Sequence, residues 1–454
     1  MLNRAYNSST RRALALALFL SLIVGALFIF TSCKPTPPTP KEEVISSVEA
    51  GPKEGKRLSE CIVQYGVSVS KSKLNSAESI YKQYYYKTLP AASELAHQTM
   101  KIFAEKYIDT VDLSDRTAVT NAILNSYVEA IGDPYSNYFT KEQYKEYVGS
   151  LSGDENKVGI GVMIEANYHD VTLKVTSVLP GSSAEAAGVK KGDYIIGVDG
   201  KYIEDEGIDG LYSLISGEVG TEVKIHVRRG GEELVLTAIR MEISDVTVVY
   251  EMMENKLAYI QVIQFKETTP AQFKKAVDDA LADGAVGIVF DMRDNPGGLL
   301  DSVVAMIDYI VPDGKRIASY TIAKNAPTIY TSKDGHSVDL PITVLCNSGT
   351  ASAGELFTAA MRDYGKDGTL DVKIVGETTY KKGVMQSSIE MYDGTAIKLT
   401  IAFYNPPCDI NYDGVGIIPD VEVPTPETDE VDTQLERAIT ELLSLIEQKS
   451  AIKE

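Results

Sequence analysis

The chain has 454 residues, 44% of them hydrophobic and 24% charged, with a formal net charge of -20 at pH 7. That length suggests about three domains of roughly 150 residues each, and the composition is that of a globular protein rather than a disordered one. The acidity argues against nucleic acid as a partner, because phosphate binding needs a clustered basic surface.

The N-terminus carries Arg4, Arg11 and Arg12, then an almost wholly apolar run from Ala13 to Phe30, then Thr31, Ser32 and Cys33. A basic start, an apolar stretch and small residues make residues 1–32 a secretory signal peptide. Cysteine directly after the small residues resembles a bacterial lipobox, which implies cleavage before Cys33 and lipid attachment to it. An uncleaved membrane anchor is the alternative, since about 18 apolar residues are just long enough to span. Either way the remainder is expected in the cell envelope, outside the cytoplasm and tethered to a membrane. Residues 33–58, with Pro35, Pro37, Pro38, Pro40 and Pro52, read as the extended, lipid-anchored linker. Cys61, Cys346 and Cys408 remain, which allows at most one disulfide. With four scattered histidines and no Cys-x-x-Cys pair, no metal site and no cofactor is expected.

Residues 59–150 read as a helical region, with Val119, Ile123, Tyr127 and Ala130 on one face and Gly132 and Pro134 as the stop. The stretch Gly132, Asp133, Pro134, Tyr135, Ser136 is expected to be a purely structural turn. Residues 155–244 change to β-type patterning. Gly159, Ile160, Gly161 and Val162 begin a strand and Val171 to Val178 make a second. Pro180 to Gly188 hold a short helix closed by glycine, and the Gly192-Asp193 turn leads into the buried strand Tyr194 to Val198 and an Asp199-Gly200 hairpin. Together these pieces resemble a PDZ domain. Such a domain captures a peptide C-terminus by strand addition, with the terminal carboxylate on loop amides, here those of Gly159, Ile160, Gly161 and Val162. Glycine is needed where backbone N–H groups must converge without a Cβ in the way.

From residue 245 to 426 strand and helix alternate, which argues for a layered α/β core with its site at the carboxyl ends of strands. Thr269, Pro270, Ala271 and Gln272 have the form of a capping box, and Phe273, Ala276, Val277, Ala280 and Leu281 face inward behind them. The strand Val286 to Phe290 ends in Asp291, Met292, Arg293, Asp294, Asn295, Pro296, Gly297, Gly298, a turn that frees backbone amides. Asp291 and Arg293 are expected to fix that turn, and Asp294 has no assigned role. The strand Ile342 to Leu345 runs into Asn347, Ser348, Gly349, Thr350, Ala351, Ser352, Ala353, Gly354, Glu355, and Leu356, Phe357, Ala360 and Met361 follow at helical spacing. A tight strand-to-helix turn of small residues lets a carbonyl approach, and the helix N-terminus points amides at developing negative charge. Ser352 is then a candidate nucleophile with the Ala353 N–H as an oxyanion donor, the alternative being that Ser348 and Ser352 only cap the helix. Glu355 reads as a favourable charge on the helix dipole. Residues 430–449 form a C-terminal helix capped by Asp432, whose stripe Leu435, Ile439, Leu442 and Ile446 is expected to pack on its own core, a homodimer contact being the alternative.

A further stretch, Gly376 to Gln386, completes a set of motifs over about residues 80 to 425 that resembles the C-terminal processing peptidases. The resemblance implies a crotonase/ClpP-like layered α/β protease core with an inserted PDZ domain of β-sandwich type and a helical N-terminal region. It implies serine endopeptidase activity by a Ser-Lys dyad, with Ser352 as nucleophile, Lys382 as general base, Gln386 orienting the lysine, and Gly297, Gly298 and Ala353 as oxyanion hole. Substrates would be proteins or peptides with apolar C-terminal tails, delivered directly or by an adaptor lipoprotein. Lysine accepts a proton near pH 7 only if burial lowers its ordinary pKa of about 10.4. Lys381 stands where that family usually has glycine, so the loop around Lys382 departs from its pattern. A catalytically silent PDZ scaffold lipoprotein is the alternative function, and an acyl-CoA enzyme of the crotonase type a third that secretion argues against.

Overall fold

The computed structural model describes residues 38–152, 157–167, 171–179, 181–243, 246–322, 325–425 and 431–453. The signal segment, the lipobox with Cys33, and Pro180 of the PDZ-like stretch lie outside them. The chain divides into two compact units, one of residues up to Glu78 with Pro90–Gly132, the other of Ser79–Leu89 with Asp133 onward.

In the first unit, α1 (Pro40–Glu49) corrects the expectation of an extended linker. Proline at the first helical position and a reciprocal pair between Thr39 and Glu42 start the helix, and Val44 and Val48 are buried. Proline punctuation therefore marked a helix start there. Next come α2 (Leu58–Ile62), α3 (Lys71–Tyr84, in this unit up to Glu78), α4 (Ala92–Lys106) and α5 (Arg116–Ile131). The Asp115 carboxylate accepts from the amides of Thr117 and Ala118 to start α5, and Gly132 in the left-handed region ends it.

The second unit holds everything that positions the candidate site. After β1 (Asn137–Phe139) and α6 (Lys141–Ser152), a PDZ-type sheet is built from β3 (Val162–Asn167), β4 (Thr172–Val178), β5 (Tyr194–Val198), β7 (Glu222–Arg229) and β8 (Glu232–Ile239), in that spatial order. A separate ribbon pairs β2 (Lys157–Gly159) with β9 (Met241–Ile243), and β6 (Lys201–Tyr202) adds to β5. Residues 159–162 are thus the bend between β2 and β3 rather than the start of one strand. The helices are α7 (Ser183–Ala187) and α8 (Ile203–Ile215), the latter laying Ile208, Leu211 and Ile215 on the buried face of the sheet.

The larger layer is a six-stranded sheet in the order β10 (Val248–Met252), β11 (Leu257–Val262), β12 (Gly287–Asp291), β15 (Ile342–Cys346), β16 (Val372–Gly376), β19 (Val421–Glu422). Only β10 is antiparallel to its neighbour; β11 through β19 are parallel. Every residue of β12 and β15 is buried, as strands covered on both faces must be. One face is covered by α9 (Thr269–Ala282), α10 (Leu300–Ile310) and α11 (Ala353–Lys366), where Phe273, Phe290 and Phe357 meet edge to face or tilted. The other is covered by α12 (Thr433–Lys453), whose Ala438 and Leu442 are fully buried against Val289, Leu345 and Val375. The apolar stripe of α12 is therefore occupied by its own sheet, as expected. A Cβ on Gly287 would stand 3.0 Å from Leu442 and Ile446, so glycine lets this helix approach.

Two local expectations are corrected. The N-cap of α9 is Thr268, without a side-chain cap bond, while Gln272 accepts from the amides of Thr247 and Val248. Tertiary donors outcompeted the local capping box for the Gln272 oxygen. Leu281, expected inside, is 38% exposed at the last turn. A second sheet joins β1, β18 (Ala396–Asn405), β13 (Arg316–Tyr320) and β14 (Thr328–Thr331), with β17 (Val384–Glu390) along β18.

Candidate active site

Parallel strands deliver their carboxyl ends to one edge, and the loops after β12 and β15 meet there. Asn295, fully buried, donates to the Val262 carbonyl at 2.7 Å, takes the Gly297 amide at 2.8 Å, and offers its own carbonyl to the Ala351 amide at 2.8 Å. Asn347 takes the Asp294 amide at 2.9 Å and returns its side-chain amide to the Asp294 carboxylate at 2.9 Å. Asp294, left without a role above, thereby links both turns, and it forms an ion pair with Lys191 of the PDZ-like region. Asp291 and Arg293 do fix the turn: Arg293 bridges Asp291 and Asp432, and the two carboxylates hold its guanidinium well above the ordinary arginine range despite burial.

Ser352 sits where β15 has turned into α11, with φ 53 and ψ -115. A left-handed φ at a non-glycine residue costs on the order of 1–3 kcal/mol, and here the cross-bonded turns hold it. Gly297 faces it: a Cβ there would come within 2.7 Å of the Ser352 Cβ. The amide of Gly297 is engaged with Asn295, so this glycine makes room rather than donates. Gly298 differs. Phe265 pairs beside it, giving its N–H to the Gly297 carbonyl at 3.0 Å and taking the Leu299 amide at 2.8 Å. A parallel bridge of this kind leaves the amide of the middle residue pointing the other way. Among the described residues, neither the Gly298 nor the Ala353 amide has an acceptor. A Cβ on Gly298 would lie 2.0 Å from the Phe265 oxygen, so no other residue fits.

Glu355 is the residue whose role the sequence did not reveal. It is fully buried, and its carboxylate accepts from the Ser352 amide at 3.0 Å, the Lys382 amide at 2.8 Å, the Lys381 amide at 2.7 Å and the Thr379 hydroxyl at 2.5 Å. Burial pushes its carboxyl above the ordinary range, and these four donors oppose the rise. Since Ser352 and Lys382 donate to the same oxygen, one side chain brings the serine turn and the lysine loop together. The helix-dipole reading of Glu355 is thus corrected to a buried clamp. Its only local signal was an acid at the third helical position, which any N-terminal turn carries.

Lys382 is pushed down to about 8 by burial, with the nearby Lys398 charge adding to the fall and Asp133 and Glu355 opposing it. Its Nζ stands 4.5 Å from the centre of the Tyr135 ring. The Gly-Asp-Pro-Tyr-Ser turn, expected to be structural only, therefore supplies a wall of the site. The Tyr404 hydroxyl donates to the Lys382 carbonyl at 3.0 Å. Lys381 has φ 83, a left-handed backbone that explains why glycine is usual there. Gln386 gives its Nε2 to the Thr400 hydroxyl at 3.2 Å and the Val384 carbonyl at 3.4 Å, rather than reaching the lysine with that end.

In the PDZ-like region, Gly161 has φ 87 and a Cβ there would come within 2.3 Å of the Ser182 Cβ, which accounts for the glycine. The carbonyls of Ile160 and Gly161 are taken by the amides of Ala184 and Leu179. Residues 159–162 border a cavity of about 590 Å³ whose lining also includes Ile263, Gln264 and Lys266, close in sequence to Phe265. The Tyr212 hydroxyl of α8 crosses this groove to the Ile164 carbonyl at 3.0 Å.

Comparison with known proteins matches residues 256–423, which hold both turns and the lysine loop, to the family model described as peptidase family S41. This region is a peptidase family S41 domain. Residues 174–229 match a PDZ domain. The chain is similar to a probable CtpA-like serine protease of Staphylococcus aureus (strain COL), 37% identical over 315 residues, covering 69% of this chain and 62% of that protein. A counterpart from Staphylococcus haemolyticus (strain JCSC1435) is 33% identical over 311 residues, covering 68% and 61%. The chain thus spans about three-fifths of the length of these curated relatives. In fold it is similar to a photosystem II D1 C-terminal processing protease, with TM-score 0.54 and 22% identity over 77% of this chain and 92% of that one. The α/β expectation, with an S41 domain, a PDZ domain and a helical N-terminal region, is borne out.

Proposed function

We propose that the chain is a serine endopeptidase of the C-terminal processing type, with Ser352 as nucleophile and Lys382 as general base. The observation that carries this reading is the shared clamp: Glu355 ties the Ser352 and Lys382 amides to one oxygen beside the unengaged amides of Gly298 and Ala353. In the reaction, Lys382 Nζ takes the Ser352 proton as Oγ attacks the scissile carbonyl. The carbonyl oxygen becomes an oxyanion facing the Gly298 and Ala353 amides. Collapse expels the amine, protonated by Lys382, and leaves an ester on Ser352. Water, deprotonated by the same lysine, then hydrolyses the ester and restores the serine. A lysine near 8 suits both directions of transfer, since general catalysis is best when the pKa is close to the working pH. In the proposed reaction Gln386 Oε1 accepts from the Lys382 amine, an acceptor that amine lacks at rest among the described residues, while the Gln386 nitrogen stays engaged with Thr400.

Substrate tails are proposed to dock in the groove at residues 159–162, their carboxylate on the loop amides and apolar side chains against Val162, Ile164 and Ile215. The basic and apolar leader with Cys33 supports a lipid-anchored protein of the cell envelope. Ser352→Ala and Lys382→Ala, made separately, test the dyad on peptides with apolar tails. Cleavage is expected to vanish in both while the fold persists, and continued cleavage by either folded variant removes that residue from the mechanism. A PDZ scaffold without activity predicts instead that a serine-reactive phosphonate leaves Ser352 unlabelled.

A further inference from the structure

In the PDZ region β3 ends its sheet, with β4 as its one strand partner among the described residues. An edge strand turns the N–H and C=O groups of every second residue outward, where another extended chain can pair with them. The Ile164 carbonyl is one of these outward groups, because the Tyr212 hydroxyl of α8 reaches it at 3.0 Å across the cavity that both residues line. The register shift between β3 and β4 skips Thr176 of β4, so β3 itself keeps the alternation. Val162 therefore faces the same side as Ile164, while the Gly161 carbonyl just before it turns inward and takes the Leu179 amide at 2.9 Å.

We propose that Tyr212 sets the affinity of this groove for tails, its hydroxyl holding the place of the main-chain N–H of the third residue from a tail's C-terminus. The inference rests on the docking of tails at residues 159–162 read above and adds a step that docking must include. With its carboxylate on the loop amides, a tail runs antiparallel to β3, and its last residue gives its N–H to the Val162 carbonyl. Two residues back along the tail, the next N–H on that side meets the Ile164 carbonyl, which Tyr212 occupies at rest. The carbonyl has a second lone pair, but the tail's backbone fills the space that the phenol crosses, so the ring must swing out. The helix itself need not move: Ile208, Leu211 and Ile215 of α8 are buried in the core, whereas Tyr212 is 39% exposed and can turn into solvent. Water then takes the freed hydroxyl, so docking loses the net value of one hydrogen bond rather than its full strength.

The test measures tail binding by the full chain carrying Ser352→Ala, so that no peptide is consumed, with and without Tyr212→Phe, which keeps the ring and removes the hydroxyl. A fluorescent apolar hexapeptide with a free C-terminus is expected to bind the Tyr212→Phe chain about two- to tenfold tighter, the scale of one net hydrogen bond. An acetylated dipeptide of the same last two residues has no third N–H and stops short of Ile164. As a competitor it is expected to show one inhibition constant for both chains. A hexapeptide affinity unchanged or weakened by Tyr212→Phe, or an equal gain for both ligands, overturns the role of Tyr212, while preference for a free carboxylate over a C-terminal amide leaves the docking reading intact. No preference for the free carboxylate in either chain defeats the docking reading, and the role of Tyr212 with it.

Discussion

The two sides of the site differ in what holds them. Around Ser352, the turns after β12 and β15 are cross-bonded through Asn295, Asn347 and backbone amides, and the Gly298 amide is aimed by the pairing of Phe265 with its neighbours. Around Lys382 the backbone is held by Glu355 and Tyr404, but the amine has an aromatic ring beside it and no hydrogen-bond acceptor among the described residues. In the proposed mechanism the oxyanion side is preorganised main chain, which needs no rearrangement as charge develops. The base side depends on solvation, so its pKa can be moved by single side chains.

This contrast can be broken most directly at Gly298. Gly298→Ala would drive a Cβ into the Phe265 carbonyl and turn the amide aside. A loss on the order of 100- to 1000-fold in kcat is expected, as for removal of an oxyanion donor. Steady-state kinetics on a variant with native circular dichroism checks it, and near-normal turnover would mean that Gly298 is not the donor.

Glu355→Gln joins the two sides in one experiment. The amide group presents an NH2 where only acceptors fit, leaving at least one buried donor unsatisfied at about 1–3 kcal/mol. A lower melting temperature and a fall in kcat of at least about tenfold are expected together. Loss of stability with unchanged kcat would show that the clamp does not set the distance between serine and lysine.

The base side is sharpened by pH. With Lys382 at about 8, its neutral fraction rises with pH, so kcat/KM should climb through a midpoint near 8. The folded amine titrates below the unfolded one, so the unfolded chain binds more protons between about 8 and about 10.4. Stability contributed at this group therefore increases with pH across that window, and Lys382→Met should raise the melting temperature at pH 7 more than at pH 10. Tyr135→Leu removes a ring that favours the charged amine by about 0.5–2 kcal/mol, which should lower the kinetic midpoint by up to about 1.5 units. An unmoved midpoint would mean that the ring does not act on the amine during turnover.

The smallest effect is expected at Lys381, whose φ of 83 is unfavourable for a residue with a Cβ. Lys381→Gly should stabilise the chain by about 1 kcal/mol, the left-handed penalty less the extra chain entropy of glycine, and leave kcat within about twofold. Chemical denaturation measures this, and destabilisation would show that the lysine side chain contributes packing that outweighs the strain.

By itself the sequence determined the elements and their order. Period-2 and helical apolar patterns, together with glycine and proline at turns, made legible the alternating S41 core, the PDZ pieces and the helix on the far face of the sheet. Motif resemblance singled out Ser352, Lys382 and the two-glycine turn, because tight turns restrict residue types at fixed positions. What the tertiary structure decided were the partners reached across the fold. Glu355 became a clamp, Tyr135 a wall beside the lysine, Asn295 a joint between turns, and Gly298 rather than Gly297 the unengaged amide. The helix at Pro40–Glu49 and the capping of α9 were misread for a related reason, since a proline or a glutamine has several uses and neighbours distant in sequence select among them. Short-range sterics are written along the chain, whereas hydrogen-bond partners and solvation depend on what folding brings alongside.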